Sequence, residues 1–429
     1  MALRKLSKVL AQTSCRNQSA FGARMISCKA MREVDPNKPA PFPYEKDVDF
    51  RPIPGMFEKT TLRLDENSKL IVVDGAHAIG KSQFAKELAE ELEMVYYPYP
   101  RMDDCLINSY GVDLRQFNDL MIPINKTYDE KDFARNPVGP VEGCADRLHF
   151  DLFREKYRNH IHALRHIFNT GQGVVMEGTP FNDYAYFDAA YNQGWIDRNT
   201  RNEYKEMLRM CLHMLMKPNL YIYLDAPTDV AMKNIQGRGN EWDKNSPVWT
   251  NKQYLSDIYN ELKKNFLKEQ QRHSRVLVYD WTEPGDMEIV VEDIESINFD
   301  FLEETDEQQK DWRLCTEERY AETRQKYCNA TQRNNLFNQM RNTKSNFSCV
   351  HLYKEPHEQE QLEDAMHWIK SERYAPGFNA SMGDKNILFR GFPFSPNELY
   401  TAERKNRYWM SQRWARNKTW FDSNDEEGY

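Results

Sequence analysis

The sequence lacks the features of several protein classes. Its 429 residues contain no apolar run approaching the ~20 residues that a membrane-spanning helix needs. Its eight cysteines form no C-x-x-C pair and no metal-ligand spacing, which argues against zinc and iron–sulfur sites. We expect mostly reduced thiols, with a disulfide among Cys315, Cys328 and Cys349 as the alternative. The net charge of −8 does not favour non-specific binding to nucleic acid.

Acidic residues are absent from the first 32 positions, where arginine, lysine and serine recur. Leu3, Leu6, Val9 and Leu10 give this stretch an apolar helical face. The composition is typical of a mitochondrial presequence, so residues 1–32 are predicted to be one, with processing near Arg24–Ser27. A disordered basic arm is the alternative. Residues 33–68 are rich in proline and are predicted to form an extended lead-in.

The most informative motif lies between a predicted strand and a predicted helix. Leu70–Val73 is a short β-branched run typical of a buried strand, and Gln83–Leu92 has the apolar spacing of an amphipathic helix. Between them Gly75–Ser82 reads GAHAIGKS, which fits the P-loop pattern G-x-x-x-x-G-K-S. In such a loop backbone N–H groups wrap phosphates, Lys81 reaches the β- and γ-phosphates, and Ser82 ligates Mg²⁺. The alternative is a glycine turn in an ordinary βα unit.

Strand and helix patterns alternate from Lys69 to about Ile297. Four further strands are predicted, at Met94–Tyr97, Gly173–Glu177, Leu220–Asp225 and Val276–Asp280. Because helical crossovers join them, the fold class is α/β: a five-stranded parallel sheet with helices on both faces, in a nucleoside- or nucleotide-kinase-like P-loop domain over residues 69–300.

The alternation stops after residue 300. Residues 301–429 are helical or extended in composition and rich in aromatic residues interleaved with arginine. Because buried protein interfaces favour these residue types, the segment is predicted to contact other proteins. Nucleic-acid binding and packing against the chain's own domain are the alternatives.

The domain resembles the deoxynucleoside kinases. The resemblance rests on Gly75–Ser82, on Val174–Thr179 (VVMEGT) in the place of a strand ending in Glu-Arg-Ser, and on Tyr221–Pro227 followed by Arg238 in the place of the strand, helix and lid. Within that family the chain is most similar to the deoxynucleoside-kinase-like accessory subunits of mitochondrial respiratory complex I (NADH:ubiquinone oxidoreductase). Besides the presequence and the C-terminal extension, Gly171–Val175 carries this similarity, together with the segment 191–194.

The resemblance implies a non-catalytic accessory subunit that supports assembly or stability of complex I and retains a nucleotide-binding P-loop. It implies a peripheral protein on the matrix side of the inner membrane, without a transmembrane segment. Its partners are other complex I subunits, contacted through the C-terminal segment among other surfaces, and no nucleic acid. The alternative is an active mitochondrial deoxynucleoside kinase that transfers the ATP γ-phosphate to a deoxynucleoside 5′-hydroxyl. A GTPase-like switch is disfavoured, because D-x-x-G and N-K-x-D are absent at the required places.

The predicted ligand is a purine nucleotide with Mg²⁺, and FAD or another dinucleotide is the alternative. Ser82 and Glu177 are the predicted metal ligands. The predicted nucleotide-binding residues are Gly75, Ala76, His77, Ala78, Ile79, Gly80, Lys81, Ser82 and Arg238.

Four departures from the family pattern affect the residues of phosphoryl transfer. Tyr97 stands where the family has a Glu that acts as the general base. Phe153-Arg154 stand where the family has a Phe-Gln pair. Gly178 and Asn240 replace two arginines that would clamp the phosphoryl group. We therefore predict no efficient kinase activity and assign no catalytic residue. The candidate residues of the nucleoside pocket are Tyr97, Phe153, Arg154 and Glu177.

Overall fold

The computed structural model describes residues 25–32, 38–42, 44, 50, 59–107, 113–120, 126–139, 144–238, 241–299 and 307–342. Three sets of predictions lie outside the described residues. They concern the basic arm up to residue 24, the position of Asn240 in the lid, and the C-terminal segment beyond residue 342.

Five parallel strands form the centre of the fold. They are β1 (Leu70–Gly75), β2 (Val95–Tyr97), β3 (Val174–Glu177), β4 (Leu220–Asp225) and β5 (Arg275–Asp280), in the order β2-β3-β1-β4-β5. β1 and β3 are buried along their whole length, and β4 is buried up to Leu224. Such continuous apolar runs are what a parallel sheet covered on both faces requires. The predicted five-stranded parallel α/β sheet is confirmed.

The helices agree closely with the sequence pattern. In chain order they are α1 (Lys81–Glu91), α2 (Asp103–Leu106), α3 (Glu130–Arg135), α4 (Cys144–Thr170), α5 (Asp183–Asn192), α6 (Arg198–Leu212), α7 (Thr228–Gly237), α8 (Glu241–Lys244), α9 (Lys252–Glu261), α10 (Leu267–Gln270), α11 (Met287–Ser296), α12 (Glu317–Cys328) and α13 (Ala330–Asn342). Short 3₁₀ helices lie at Leu114–Leu120, Pro180–Asn182 and Lys310–Trp312.

One predicted helix is divided in the structure. The sequence pattern indicates a single helix from Tyr254 to Arg272, whereas a π-helical turn, Leu262–Phe266, separates α9 from α10. Within this turn the Lys263 ammonium lies 2.5 Å from the Asp225 carboxylate at the end of β4. A π turn adds a residue to the helix without breaking it, so the apolar spacing alone does not reveal it.

The described residues divide into two compact units. The first contains the residues up to Pro100 and those from Lys156 onward, and it includes the sheet and the P-loop. The second contains the residues from Arg101 to Glu155. Within the second unit the Arg115 guanidinium lies 2.8–3.2 Å from three carboxylates, those of Asp103, Asp113 and Asp129.

Residues 25–32 pack against other parts of the first unit. Ile26 is 1% exposed, and the Ser27 N–H donates to Asn67 Oδ1 at 2.9 Å while Asn67 Nδ2 donates back to the Ser27 carbonyl at 2.7 Å. Arg32 pairs with Asp65 at 2.8 Å and with Glu93 at 2.9 Å. Residues 25–32, the last part of the predicted presequence, therefore contact the P-loop domain. The presequence itself stays a prediction.

Residues 307–342 also pack against other parts of the first unit. The Trp312 indole N–H donates to the Lys217 carbonyl at 2.7 Å, and the Tyr327 hydroxyl donates to the Met214 carbonyl at 3.0 Å. Arg324, fully buried on α12, lies over the ring of Phe50, 4.2 Å from its centre. Residues 307–342, the described part of the predicted C-terminal segment, therefore contact the chain's own domain, and the contact of the segment with other proteins stays a prediction.

Two findings concern cysteines and membrane spans. Among the described cysteines, Cys315 is disulfide-bonded. The thiols outside disulfides are Cys28, Cys105, Cys144, Cys211 and Cys328. Among the described residues, no helix combines the length and apolar character needed to cross a membrane.

Candidate functional site

The P-loop connects the end of β1 to the start of α1. At Gly75 the backbone passes so close to β4 that a Cβ would overlap the Leu224 carbonyl oxygen. Gly80, at φ +85°, caps the helix that begins at Lys81, and Ala78 adopts φ +60°. Because side-chain-bearing residues rarely adopt this left-handed conformation, Ala78 marks local backbone strain of the kind found at functional sites. The turn places the helix N-terminus where it can attract an anion.

Asp74 anchors the base of this loop. Its carboxylate is 1% exposed, accepts from the Gly75 N–H at 2.8 Å and from the Tyr221 hydroxyl at 2.8 Å, and also accepts from Asn182. Lys81 donates to the Gly75 carbonyl at 2.8 Å and lies 3.5 Å from the Asp74 carboxylate. The ammonium of Lys81 is therefore held at the mouth of the loop by internal partners that a phosphate can replace.

Ser82 and Glu177 come together at the start of α1. The Ser82 hydroxyl donates to Glu177 Oε2 at 3.1 Å, and the Tyr96 hydroxyl donates to Glu177 Oε1. Glu177 is only 4% exposed, and burial raises the pKa of its carboxyl group. A hydroxyl and a carboxylate side by side are the oxygen ligands that Mg²⁺ prefers, so the pair predicted as metal ligands fits that ion.

The phenol that reaches Glu177 belongs to Tyr96 and not to Tyr97. Successive strand residues point to opposite faces of a sheet, so Tyr97 projects from the other face of β2, where it is 3% exposed. The assignment of Tyr97 to the position of the family's general-base Glu stays a prediction, and Tyr96 is a further phenol beside Glu177. A second tyrosine, Tyr99, lies beside Gly178: a Cβ added at Gly178 would stand 2.8 Å from the Tyr99 ring.

His77 lies among aromatic rings in the P-loop. Its backbone N–H donates to the Tyr259 hydroxyl at 3.0 Å, and its ring centre lies 5.3 Å from that of Trp249 and 6.0 Å from that of Tyr186. Burial, and then the charges of Lys81, Arg238 and Lys156, lower the pKa of His77 to about 3. The imidazole is therefore neutral at pH 7. Arg238, at the exposed end of α7, supplies positive charge to this region.

A buried ion pair lies next to these rings. Lys156 Nζ donates to Asp183 Oδ1 at 2.6 Å, with side chains only 3% and 2% exposed. The ammonium also lies over two rings, 5.1 Å from the centre of Tyr99 and 4.7 Å from that of Tyr186. The Tyr204 hydroxyl donates to the other Asp183 oxygen. Burial alone would lower the pKa of Lys156, but Asp183 and Tyr99 raise it, so the amine is charged at neutral pH.

Comparison with known proteins identifies the family. A family model described as deoxynucleoside kinase matches residues 71–313, more than half of the chain. The chain belongs to the deoxynucleoside kinase family.

Two relatives show similarity that extends beyond the kinase domain. The chain is 29% identical over 341 residues to a Rattus norvegicus protein, NADH dehydrogenase (ubiquinone) 1 alpha subcomplex subunit 10, mitochondrial; the match covers 78% of this chain and 87% of the relative. The Bos taurus protein of the same name is 27% identical over 78% of this chain and 90% of the relative. These matches confirm the predicted resemblance to complex I accessory subunits.

More distant relatives match a smaller part of the chain. Deoxyguanosine kinase of Dictyostelium discoideum is 25% identical over 148 residues, 34% of this chain and 50% of the relative. The solved structure of deoxyadenosine kinase from M. mycoides with bound dATP covers 53% of this chain and 100% of its own, at 16% identity and a TM-score of 0.38.

The structure brings together part of the predicted site of this deoxynucleoside kinase family member. Lys81, Ser82 and Glu177 form one cluster with the loop. Phe153 and Arg154 belong to the second unit, where Phe153 is fully buried and Arg154 lies 3.1 Å from the Asp151 carboxylate. Their role in a nucleoside pocket stays a prediction.

Sequence analysis did not select five residues that the structure places in or beside the site: Asp74, Tyr96, Tyr99, Lys156 and Asp183. The first three had a local signal: Asp74 directly follows the predicted strand Leu70–Val73, Tyr96 lies within the predicted strand Met94–Tyr97, and Tyr99 lies two residues beyond its end. The ion pair had none, since its members lie on different helices and 27 positions apart.

Proposed function

We propose that the chain is a non-catalytic accessory subunit of mitochondrial complex I that supports assembly or stability of the complex and retains a nucleotide-binding P-loop. The observation that carries the proposal is the share of each relative's length that the chain matches. Similarity to the mitochondrial NADH dehydrogenase subunits spans 87–90% of their length, whereas similarity to deoxyguanosine kinase spans 50% of that enzyme. Under this proposal the protein lies peripherally on the matrix side of the inner membrane, among other complex I subunits.

The geometry of the site supports the absence of kinase activity. Transfer to a 5′-hydroxyl needs a proton acceptor beside the acceptor oxygen and positive charge around the transferring phosphoryl group. Beside Glu177 and Gly178 the chain presents Tyr96 and Tyr99, and burial raises the pKa of Tyr99 above its ordinary value near 10. A phenol of this kind is a weak base at pH 7.

The missing arginine has a structural correlate. At Gly178, in the place of the arginine of Glu-Arg-Ser, φ is +70° and the Tyr99 ring occupies the space into which a side chain would extend. Loss of an arginine that stabilises the transition state typically costs about 10³–10⁵ in rate. Both features support the proposal that this end of β3 does not catalyse phosphoryl transfer.

The P-loop supports binding without turnover. Its backbone N–H groups and Lys81 suit the phosphates of a nucleotide, with Arg238 as a further cation, and Ser82 with Glu177 suits Mg²⁺. We propose a purine nucleotide, with FAD or another dinucleotide as the alternative ligand, because a P-loop recognises phosphate more than base. A ligand present at about 100 times its Kd would stabilise the folded chain by about 2.7 kcal/mol.

Two measurements test the proposed function. Native electrophoresis of mitochondrial membranes should show the chain migrating with the NADH-oxidising complex, and depletion of the chain should lower the amount of assembled complex. Purified chain with ATP, Mg²⁺ and each deoxynucleoside should show no turnover. A small free species that turns over at ordinary kinase rates of about 1–100 per second would establish the kinase alternative instead.

A variant pair separates the two parts of the proposal. Lys81→Ala removes the P-loop ammonium and should abolish nucleotide-dependent thermal stabilisation. Lys86→Ala, which replaces an exposed lysine on the same helix, is the matched control and should leave that stabilisation unchanged. If Lys81→Ala stabilises on nucleotide addition as the unmodified chain does, the P-loop is not the nucleotide site.

A further inference from the structure

Five side chains form a closed cluster beside the P-loop, which we call the acceptor-side cluster: Lys156, Asp183, Tyr99, Tyr186 and Tyr204. Asp183 and Lys156 form its centre. Lys156 donates to Asp183 at 2.6 Å, the Tyr204 hydroxyl donates to the same carboxylate, and the faces of Tyr99 and Tyr186 lie against the ammonium. A buried charge pair is stable only when its geometry is good and further partners compensate the two charges. Here each Asp183 oxygen accepts a hydrogen bond, and two aromatic rings lie against the Lys156 ammonium.

The position of this cluster can be stated from its neighbours. At one end the Tyr186 ring contacts His77 of the P-loop, with ring centres 6.0 Å apart. At the other end the Tyr99 ring lies against Gly178, directly after Glu177. The cluster therefore spans the distance between the phosphate-binding loop and the end of β3.

This is the space that an acceptor needs. Phosphoryl transfer requires the acceptor hydroxyl in line with the γ-phosphoryl group, with reacting atoms about 3–3.5 Å apart. The γ-phosphoryl group of a P-loop ligand lies near Lys81 and the Mg²⁺ ligands, here Ser82 and Glu177. A nucleoside approaching that point from the end of β3 meets the Tyr99 ring and the buried Lys156–Asp183 pair.

We propose that the acceptor-side cluster is an internal plug that makes the site selective: the P-loop binds a nucleoside di- or triphosphate, and no deoxynucleoside binds beside it. The inference rests on the proposed nucleotide-binding function and specifies its ligand class. Within the plug, the Lys156 ammonium neutralises the Asp183 carboxylate, so this buried charge needs no ligand to compensate it.

The test is equilibrium binding to the full chain by calorimetry, first with Mg²⁺ and a non-hydrolysable ATP analogue, then with each deoxynucleoside at millimolar concentration. The unmodified chain should bind the analogue and no deoxynucleoside. Tyr99→Ala removes the ring from Gly178 and from the ammonium, and should tighten deoxynucleoside binding by at least tenfold. Tyr279→Ala, on the edge strand β5 and hydrogen-bonded to Asp293, is the matched control and should gain none.

A measurement on the unmodified chain covers the case in which Tyr99→Ala does not fold. Lys156 should resist an amine-acylating reagent with or without nucleotide, whereas the exposed Lys233 should react. Deoxynucleoside binding by the unmodified chain, or reaction of Lys156 at the rate of Lys233, would overturn the plug. If the chain migrates with complex I but binds a deoxynucleoside, the proposed accessory role is supported and the proposed plug is wrong. If the chain is a free species that binds no deoxynucleoside, the plug is supported and the proposed accessory role is wrong.

Discussion

Breaking the Lys156–Asp183 pair from one side only should destabilise the protein more than removing both charges. The two groups lie 2.6 Å apart with side chains 3% and 2% exposed, so neither is compensated by water when its partner is lost. Either Lys156→Met or Asp183→Asn alone should lower the free energy of unfolding by about 3–5 kcal/mol, because each leaves the remaining charge buried without its partner. The double variant removes both charges and keeps an acceptor for Tyr204, so we expect a cost of about 1–3 kcal/mol.

The chain offers a matched control for this measurement. Lys252 and Asp229 lie at the same distance, 2.6 Å, but are 62% and 73% exposed. Lys252→Met should therefore cost less than about 1 kcal/mol, as exposed ion pairs generally do. The comparison isolates burial, since distance and residue types are identical in the two pairs.

The assay is unfolding of each purified variant in urea, followed by circular dichroism, with the free energy of unfolding obtained from the midpoint and slope. Lys156→Met should unfold at a clearly lower urea concentration than Lys252→Met. A double variant as unstable as the sum of its single variants would refute the argument, because it would show that the two charges do not compensate each other. Equal costs for the buried and the exposed lysine would refute it as well.

Three further predictions concern the loop, pH and processing. Tyr259→Phe frees the His77 N–H for a phosphate oxygen, so calorimetry should show about fivefold tighter nucleotide binding, corresponding to about 1 kcal/mol; unchanged affinity would contradict this. Burial lowers the pKa of His160 and of His166 to about 4, so the stability that they contribute is complete above pH 6.5 and is lost as the pH falls toward 4. His160→Gln should therefore flatten the fall in the free energy of unfolding as the pH is lowered from 6.5 toward 4, by about 1.4 kcal/mol per pH unit at most, and an unchanged slope would count against it. Intact-mass measurement of the protein from mitochondria should place its first residue at or before Ile26, since Ile26 is buried, and a start at residue 33 would contradict the packing.

The parts of the fold that were predictable depend on local pattern. Leu70–Val73 is a β-branched run, and the eight residues from Gly75 carry the spacing of a loop whose geometry depends on glycine at fixed places. The strands and the main helices could be located for the same reason, because apolar periodicity records which face is buried. The π turn at Leu262–Phe266 left no such record, since it keeps the helix continuous.

The parts of the site that were not predictable depend on contacts between distant segments. The contact between Tyr96 and Glu177 joins two strands, and only the pleat of β2 shows which of its side chains reaches Glu177. Lys156 was one of several charged residues on a long amphipathic helix, and its burial follows from Asp183 on another helix. A lysine is almost never fully buried unless it is paired. Because the pairing partner is distant in the sequence, the sequence alone does not show that this lysine is buried.

The two halves of the site differ in how many segments build them, which explains why one half can persist without the other. The phosphate half is one continuous segment, Gly75–Ser82, and much of its binding capacity is in backbone N–H groups that side-chain changes do not remove. The acceptor side combines the end of β2, α4, the end of β3 and α5, so a change in any of them alters it. Under the proposed function a nucleotide bound by the first half has no acceptor and is not consumed. It then acts on the chain only by mass action, so the stability of the folded domain should follow the concentration of nucleotide around it.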